Sequence, residues 1–284
     1  MEATSDPQSR AARRRLAFKL FKYGVFAILL INLCFYLVED VRACLYLDSG
    51  ATFGDYLQTA AATIDYVAWI VLIILFEMET SAHAKGAFRG IRKWAIAGMT
   101  AACYLVLVYA TYGYTVGLAD TYRFEPIDSA TVCDLAQGTF AYVNSAGRPV
   151  ELNLENCGDF ANERVYRSAA DRLIATHENL VAIQKLGWVN VANAAAWLLV
   201  VLIFQVEITL NQLDKLTRFW LLFCSATKAV LYLVLFADAI YWTFYSAFID
   251  SWDAWIWLIA FLLIDLNLLG LEDLPPAPAI APTA

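Results

Sequence analysis

A few charged side chains lie inside apolar stretches long enough to cross a bilayer, and these residues could do chemistry. Lys228 and Asp265 lie deepest, with Asp265 about 9 Å inside its apolar run at the rise of a helix. A charge in hydrocarbon costs about 2.5 kcal/mol or more on insertion scales, so each should face protein or water and have a partner. We predict that Lys228 pairs with Asp265, or with Glu77 as the alternative.

The polar residues recur at the same spacing in three apolar stretches. An Asp or Asn is followed four positions later by Trp. A Phe or Ile comes seven positions after the Trp, and polar residues come eight and ten positions after it. The three copies are Asp65, Trp69, Phe76, Glu77 and Glu79; Asn193, Trp197, Phe204, Gln205 and Glu207; and Asp253, Trp257, Ile264, Asp265 and Asn267. A weaker pattern places Asn32, Thr100 and Lys228 one helical turn before a Tyr-Leu-Val triplet. We therefore predict three repeated helical hairpins around a pseudo-threefold axis, with chance similarity between apolar helices as the alternative.

Two interpretations of these polar residues are open. In the first, they line a pathway for a proton or a small cation, because intramembrane ionisable residues often serve that purpose. The pathway residues are Lys228, Asp265, Glu77, Gln205 and Asp238. In the second, acids near the cytoplasmic helix ends pair with cations at neighbouring helix starts and only join the hairpins.

The second interpretation is favoured for the positions nearest the water, and the first for the two deepest residues. The inner-mouth residues are Glu79, Glu207, Asn267, Arg92 and Arg218, with Lys22 and Lys93 as further cations. Glu77 and Glu79 are two residues apart, so they cannot share a helix face. The repeated Trp residues are interpreted as packing residues rather than a ligand cage, and Asp65 and Asp253 as helix caps.

The composition indicates which elements position these residues. Of the 284 residues, 61% are apolar and only 17% are charged, and the net charge is −7. This excludes a soluble enzyme, a disordered chain, a coiled coil and a nucleic-acid-binding protein. The predicted fold class is an all-α polytopic membrane protein with six transmembrane helices. The spans are predicted at residues 16–38, 60–76, 94–116, 186–204, 219–237 and 254–271.

Basic residues cluster before the first span and in the loops after the second and fourth. This positive-inside bias places both termini in the cytoplasm. The first span is a retained signal anchor, because no small-residue cleavage site follows it. The lack of an N-x-[ST] sequon favours a bacterial inner membrane. The predicted organisation is a basic N-terminus at 1–15, helices at 16–114 and 186–271, an external loop at 115–185, and a disordered tail at 272–284.

The external loop of about 70 residues is too long to be structureless in a compact protein. Residues 139–143 and 149–154 alternate as strands do, and 144–148 supply a turn, so a β-hairpin is predicted. Cys133 and Cys157 flank it and are predicted to form a disulfide worth about 3.5 kcal/mol. Residues 160–185 are predicted to be helical and to continue into the fourth span. This element caps the helices or, as the alternative, binds a protein partner.

The sequence indicates no catalytic residues, metal ligands or cofactors. It has only two histidines and no P-loop, G-x-S-x-G or Rossmann pattern, so an enzyme is disfavoured, although an unrecognised lipid-modifying chemistry stays open. The predicted function is transport or conduction of a proton or small cation. The alternative is a non-transporting membrane partner, an assembly factor or a sensor that acts through the external element. The oligomeric state stays open, and the expected surroundings are the lipid bilayer.

Overall fold

The computed structural model describes residues 7–45, 52–80, 90–138, 140–144, 149–168, 172–246 and 248–268, and the protein is mostly helical. The helices are α1 (Pro7–Leu45), α2 (Phe53–Thr59), α3 (Ala61–Thr80), α4 (Ile91–Thr121), α5 (Val132–Leu135), α6 (His177–Gln212), α7 (Arg218–Tyr245) and α8 (Phe248–Leu268). Each predicted span overlaps one of the six long helices. The predicted disordered tail lies outside the described residues.

Five helices in the described part of the chain are long and apolar enough to cross a bilayer. They are Leu16–Arg42, Ala61–Glu79, Ile91–Thr121, His177–Gln212 and Arg218–Tyr245. These helices are consistent with a multi-pass integral membrane protein. The sixth predicted span coincides with α8, a helix of 21 residues whose side chains are described as far as Asp265. It is not among the five, so the topology of six spans in three hairpins stays a prediction.

Polar side chains fix the starts of two of the long helices. Asp40 in α1 accepts a hydrogen bond at 2.9 Å from the backbone N–H of Thr63, which belongs to the first turn of α3. Thr217 precedes α7 with extended backbone angles, and its side chain accepts from the N–H of Trp220. An N-cap of this kind typically stabilises a helix by about 1 kcal/mol. The helix starts are therefore set by named polar contacts as well as by apolar composition.

A five-stranded sheet lies between α4 and α6, in a part of the chain that we call the sheet domain (124–176). Its strands are β1 (Glu125–Ile127), β2 (Ala141–Val143), β3 (Pro149–Glu151), β4 (Val165–Ser168) and β5 (Leu173–Thr176). Their spatial order is β1-β4-β5-β2-β3. The pairs are antiparallel except β2 with β5, which are parallel. Both edge strands contain a proline, which cannot donate a ladder hydrogen bond and so discourages pairing with another chain.

The predicted hairpin and disulfide are confirmed. β2 and β3 pair with Tyr142 opposite Val150, and Cys133 is bonded to Cys157. The disulfide joins α5 to the short 3-10 helix Cys157–Phe160. One face of the sheet buries a cluster that includes Val132, Leu152, Phe160, Val165 and Ile174. The other face buries Val143 and Ala175 against Leu180 at the start of α6.

The predicted helix at 160–185 is wrong in its first part. Residues 165–168 and 173–176 are antiparallel strands, and α6 begins only at His177. Val165, Ala169 and Leu173 are four residues apart, which imitates the spacing of one helix face. Arg172 has a φ of 52°, a left-handed conformation that interrupts a helix. Strands of four residues are too short to show a clear two-residue alternation.

The chain divides into two compact units. The first unit is 1–106, 208–215 and 252–284, and it holds α1, α3, the first half of α4 and most of α8. The second unit is 107–207 and 216–251, and it holds the rest of α4, the sheet domain, nearly all of α6, and α7.

Candidate functional site: buried polar pairs in the long helices

The most deeply buried ion pair of the second unit joins α6 to α7. Lys228 Nζ lies 2.7 Å from Glu207 Oε2, and the two side chains are only 2% and 1% exposed. The ammonium also lies 4.6 Å from the centre of the Phe204 ring. A cation over an aromatic face is attracted by the negative charge of the ring face. Lys228 therefore contacts a carboxylate and an aromatic ring, away from solvent.

The helix geometry explains why these groups converge. Phe204 and Glu207 are three residues apart and so lie on one face of α6. The buried face of α7 carries Cys224, Lys228, Leu235, Asp238 and Ala239, which follow one another at the spacing of a helix face. Lys228 lies ten residues after the start of α7, about 15 Å along its axis. Its long stem allows the ammonium to reach Glu207, near the end of α6.

The partner that the structure gives Lys228 is Glu207, whereas the sequence analysis proposed Asp265 or Glu77. Glu77 is paired with Lys22 instead. Asp265 is half-buried, and its pairing with Lys228 stays a prediction. The sequence analysis placed Glu207 nearest the water, but the structure buries it almost completely. A salt bridge between a lysine of one helix and an acid of the next is nevertheless the type of contact that the second interpretation expects.

A second polar pair joins the same two helices, nearer the start of α6 and the end of α7 than the first pair. The side chain of Asn193 hydrogen-bonds the carboxylate of Asp238, and both residues are buried. The other carboxylate oxygen, Oδ2, is buried and has no hydrogen-bond partner among the described residues. Asp238 was predicted as the outer pathway residue. The structure pairs it with a repeat residue of α6.

Apolar side chains separate these two polar pairs. Along α6, Val200, Val201 and Phe204 lie between Asn193 and Glu207 and are fully buried, and Leu235 lies between Lys228 and Asp238 on α7. The two polar residues of α7 are ten positions apart, about 15 Å along the helix. The described part of this unit therefore has polar pairs at two levels, with mostly apolar side chains and the buried Tyr232 hydroxyl between them.

In the first unit, two carboxylates of α3 lie next to two different helices. Lys22 Nζ of α1 lies 2.8 Å from Glu77 Oε1, and the two side chains are 4% and 26% exposed. Glu79 interacts electrostatically with Tyr104 of α4. This agrees with the rule that residues two apart do not share a helix face. Glu77 is therefore a partner of α1, and Glu79 is a neighbour of α4.

Asp253 forms a hydrogen-bonding centre in the first unit. Its Oδ1 accepts from Asn32 Nδ2 at 3.0 Å and from the Tyr66 hydroxyl at 2.8 Å. Its Oδ2 accepts from Trp257 Nε1 at 3.0 Å. One carboxylate thus joins α1, α3 and α8. The interpretation of Asp65 and Asp253 as helix caps is wrong, because α3 begins four residues before Asp65 and α8 begins five residues before Asp253.

The spacing of Asp and Trp that occurs in α8 also occurs in α3, and there too the two side chains are hydrogen-bonded. The Asp65 side chain is hydrogen-bonded to Trp69, four residues later, as Asp253 is to Trp257. Residues four apart are neighbours on a helix, so this part of the repeated pattern has a local physical basis in two of its three copies. The aromatic rings pack against one another, with Trp69 5.8 Å from both Trp257 and Phe261. These contacts are those of packing residues, as interpreted from the sequence.

The remaining candidate residues differ in burial. Gln205 is half-buried, and Arg92, Lys93 and Arg218 are exposed. Asn267 belongs to α8, but its side chain lies outside the described part of the structure. The first, third and fifth predicted spans each carry a buried polar residue one turn before a Tyr-Leu-Val triplet. These residues are Asn32, Thr100 and Lys228. Sequence reasoning missed the role of Phe204, although its spacing of three from Glu207 could have indicated it.

Within the described residues, no group of three or more His, Cys, Asp or Glu side chains is arranged to hold a metal ion. Comparison with protein-family models, with curated proteins and with solved structures finds no match to this chain.

Proposed function

We propose that this integral membrane protein moves a proton or a small monovalent cation across the bilayer, with Lys228 and Glu207 at the centre of the process. The observation that supports the proposal is the burial of this ion pair in the helices, at 2% and 1% exposure. Removing two charges from water costs several kcal/mol per ion. Ionisable residues within spans are rare and mark ion pathways and proton relays more often than simple packing.

The apolar layer in the second unit indicates the type of process. Val200, Val201 and Leu235 lie between the buried pair and Asp238 along the two helices, and the buried Tyr232 hydroxyl is a polar group among them. We propose that the helices must move relative to one another before an ion passes this layer. Movement of α6 relative to α7 would separate Glu207 from Lys228 and so break the ion pair that joins the two helices.

A flux assay with the purified protein in liposomes tests the proposal. A pH-sensitive dye and cation-sensitive dyes inside the vesicles would report flux driven by imposed gradients. We expect flux with the wild type and its loss in the double variant Lys228→Met/Glu207→Gln. This variant carries no net change of charge and leaves no buried charge unpaired, so it should fold. Asp265→Asn tests the other deep residue that the sequence predicts for the pathway, in the same assay.

The matched control removes a different ion pair. Arg123 and Asp120 form a salt bridge at 2.8 Å in which the arginine side chain is 78% exposed. The double variant Arg123→Gln/Asp120→Asn should keep the wild-type flux. If the wild type moves none of the protons, sodium, potassium or ammonium ions tested, the transport function is wrong.

The alternative, a non-transporting partner or sensor, has support from the sheet domain. This domain buries apolar clusters on both faces of its sheet, which is more structure than a simple cap requires. A domain with its own core can present a binding surface of fixed shape. The same liposome assay separates the alternatives, since a non-transporting protein shows no flux in any of these gradients.

A further inference from the structure

The sequence Phe-x-x-Glu occurs twice at corresponding places in the helices. In α6, Phe204 and Glu207 both contact the ammonium of Lys228, with the carboxylate at 2.7 Å and the ring centre at 4.6 Å. Residues three apart share a helix face. An aromatic ring and a carboxylate on one face therefore form a two-point clamp for an ammonium group.

The second Phe-x-x-Glu sequence, in α3, places Phe76 and Glu79 at the same spacing. Phe76 is fully buried, as Phe204 is. Glu79 Oε2 is buried and has no hydrogen-bond partner among the described residues. Lys22 of α1 donates to Glu77, which lies on another face of α3. A buried carboxylate oxygen without a donor is costly, so a donor is expected there.

Lys228 supplies the ammonium in α7, and the corresponding residue in α4 is a threonine, Thr100. Lys228 precedes Tyr232 by one turn, and Thr100 precedes Tyr104 by one turn. Thr100 is buried, and Tyr104 interacts electrostatically with Glu79. A threonine side chain is short and uncharged, so it cannot neutralise a carboxylate as a lysine does. The chain thus repeats the clamp without repeating the built-in cation.

We infer that Glu79, Phe76 and Tyr104 bind a small ammonium-type cation, either ammonium itself or a short primary alkylamine. This cation takes the role that the side chain of Lys228 has on Glu207. The site lies within the first unit. This cation would be the one that the proposed transport function moves. Its binding at Glu79 does not require transport, and only its movement across the bilayer rests on the proposed function.

The chemistry of the clamp favours an ammonium group over a divalent metal ion. Calcium and magnesium require six or more oxygen ligands, whereas the clamp offers one carboxylate, one hydroxyl and aromatic faces. An ammonium group donates hydrogen bonds to the oxygens and is attracted to the rings. The primary ammonium of Lys228 on Glu207 is the example within the same chain.

Isothermal titration of the intact purified protein with methylammonium chloride tests the inference. Sodium chloride at equal ionic strength is the control for salt effects. We expect saturable binding of methylammonium to the wild type and to Asp120→Asn, a control at an exposed carboxylate. Glu79→Gln should weaken binding about tenfold to a hundredfold, since it removes a charged hydrogen-bond acceptor. No saturable binding to the wild type, or equal binding to Glu79→Gln, overturns the inference.

A second variant builds the cation into the chain. Thr100→Lys should abolish methylammonium binding by placing its own ammonium on Glu79. This variant should also be more stable to unfolding than Thr100→Lys/Glu79→Gln, in which the new lysine has no carboxylate. Equal stability of the two variants contradicts the proposed site. The titration requires no flux, so the two proposals fail separately. Binding without flux contradicts only the transport function, and flux without methylammonium binding contradicts only this inference.

Discussion

The sheet domain and the long helices bury different kinds of residues. Six residues form the main cluster of the sheet domain, and all six are apolar or belong to the disulfide. The long helices bury charged and amide side chains, among them Lys22, Asn32, Asn193, Glu207, Lys228 and Asp238. Among the described residues of the sheet domain, Ser168 is the polar residue that is buried.

The surroundings of the two regions account for this difference. A domain in water is stabilised by removing apolar area from solvent. Helices in lipid gain little from apolar contact, because the lipid tails are as apolar as leucine, so hydrogen bonds and close packing join them instead. Predictions about single contacts therefore differ between the two regions.

The largest effect is expected from one half of the buried pair. Lys228→Met should lower the free energy of unfolding by about 3 kcal/mol or more, because it leaves Glu207 buried without a counter-charge. The double variant Lys228→Met/Glu207→Gln should recover most of the loss. Unfolding by SDS in mixed micelles measures both. If the double variant loses as much as the two single variants together, the pair does not stabilise the helices as a unit.

The disulfide should have a comparable but local effect. Cys133→Ser/Cys157→Ser opens a loop with a sequence separation of 24, for which the chain-entropy model gives about 3.5 kcal/mol. Hydrogen exchange should increase in the strands of the sheet domain and stay unchanged around Lys228 and Glu207. Equal loss of protection in both places would show that the sheet domain and the helices unfold together, against the contrast drawn above.

A smaller effect is expected at the hydrogen-bonding centre of the first unit. Asp253→Ala removes the acceptor of Asn32, Tyr66 and Trp257, and buried donors without acceptors cost about 1–3 kcal/mol. The midpoint of thermal unfolding in detergent should fall. Asp250→Ala, at an exposed position in the first turn of α8, is the matched control and should change it little. An equal fall in both variants would make the centre energetically unimportant.

The long helices, the hairpin and the disulfide followed from the sequence, because their signals are local. Apolar length predicts a helix in lipid wherever it packs, and two alternating segments around a turn predict a hairpin. The pairing of Lys228 with Asp265, which depth along the helix indicated, stays a prediction. The contact of Lys228 with Glu207 did not follow, because it depends on how α6 and α7 are rotated about their axes. A single sequence carries little information on that rotation.

The same limit explains the role of Asp253. Its place near the start of a helix is typical of a cap, and only the approach of α1 and α3 turns it into an acceptor for Asn32 and Tyr66. The strands at 165–168 and 173–176 were missed for another reason, since each needs its neighbours in the sheet to be recognised. The sequence thus shows which residues carry polar chemistry, and packing decides which of them meet.

The smallest effect should come from the ion pair that resembles the buried one but reaches water. Lys22 is as buried as Lys228, yet its partner Glu77 is 26% exposed. Lys22→Met therefore leaves a carboxylate that water can still hydrate, and we expect a loss of about 1 kcal/mol, in the range of partly exposed pairs. SDS-induced unfolding of Lys22→Met and Lys228→Met side by side measures the difference. A loss for Lys22→Met as large as that for Lys228→Met would mean that hydration of the remaining acid does not set the cost, and that the lysine stems stabilise the helices mainly by packing.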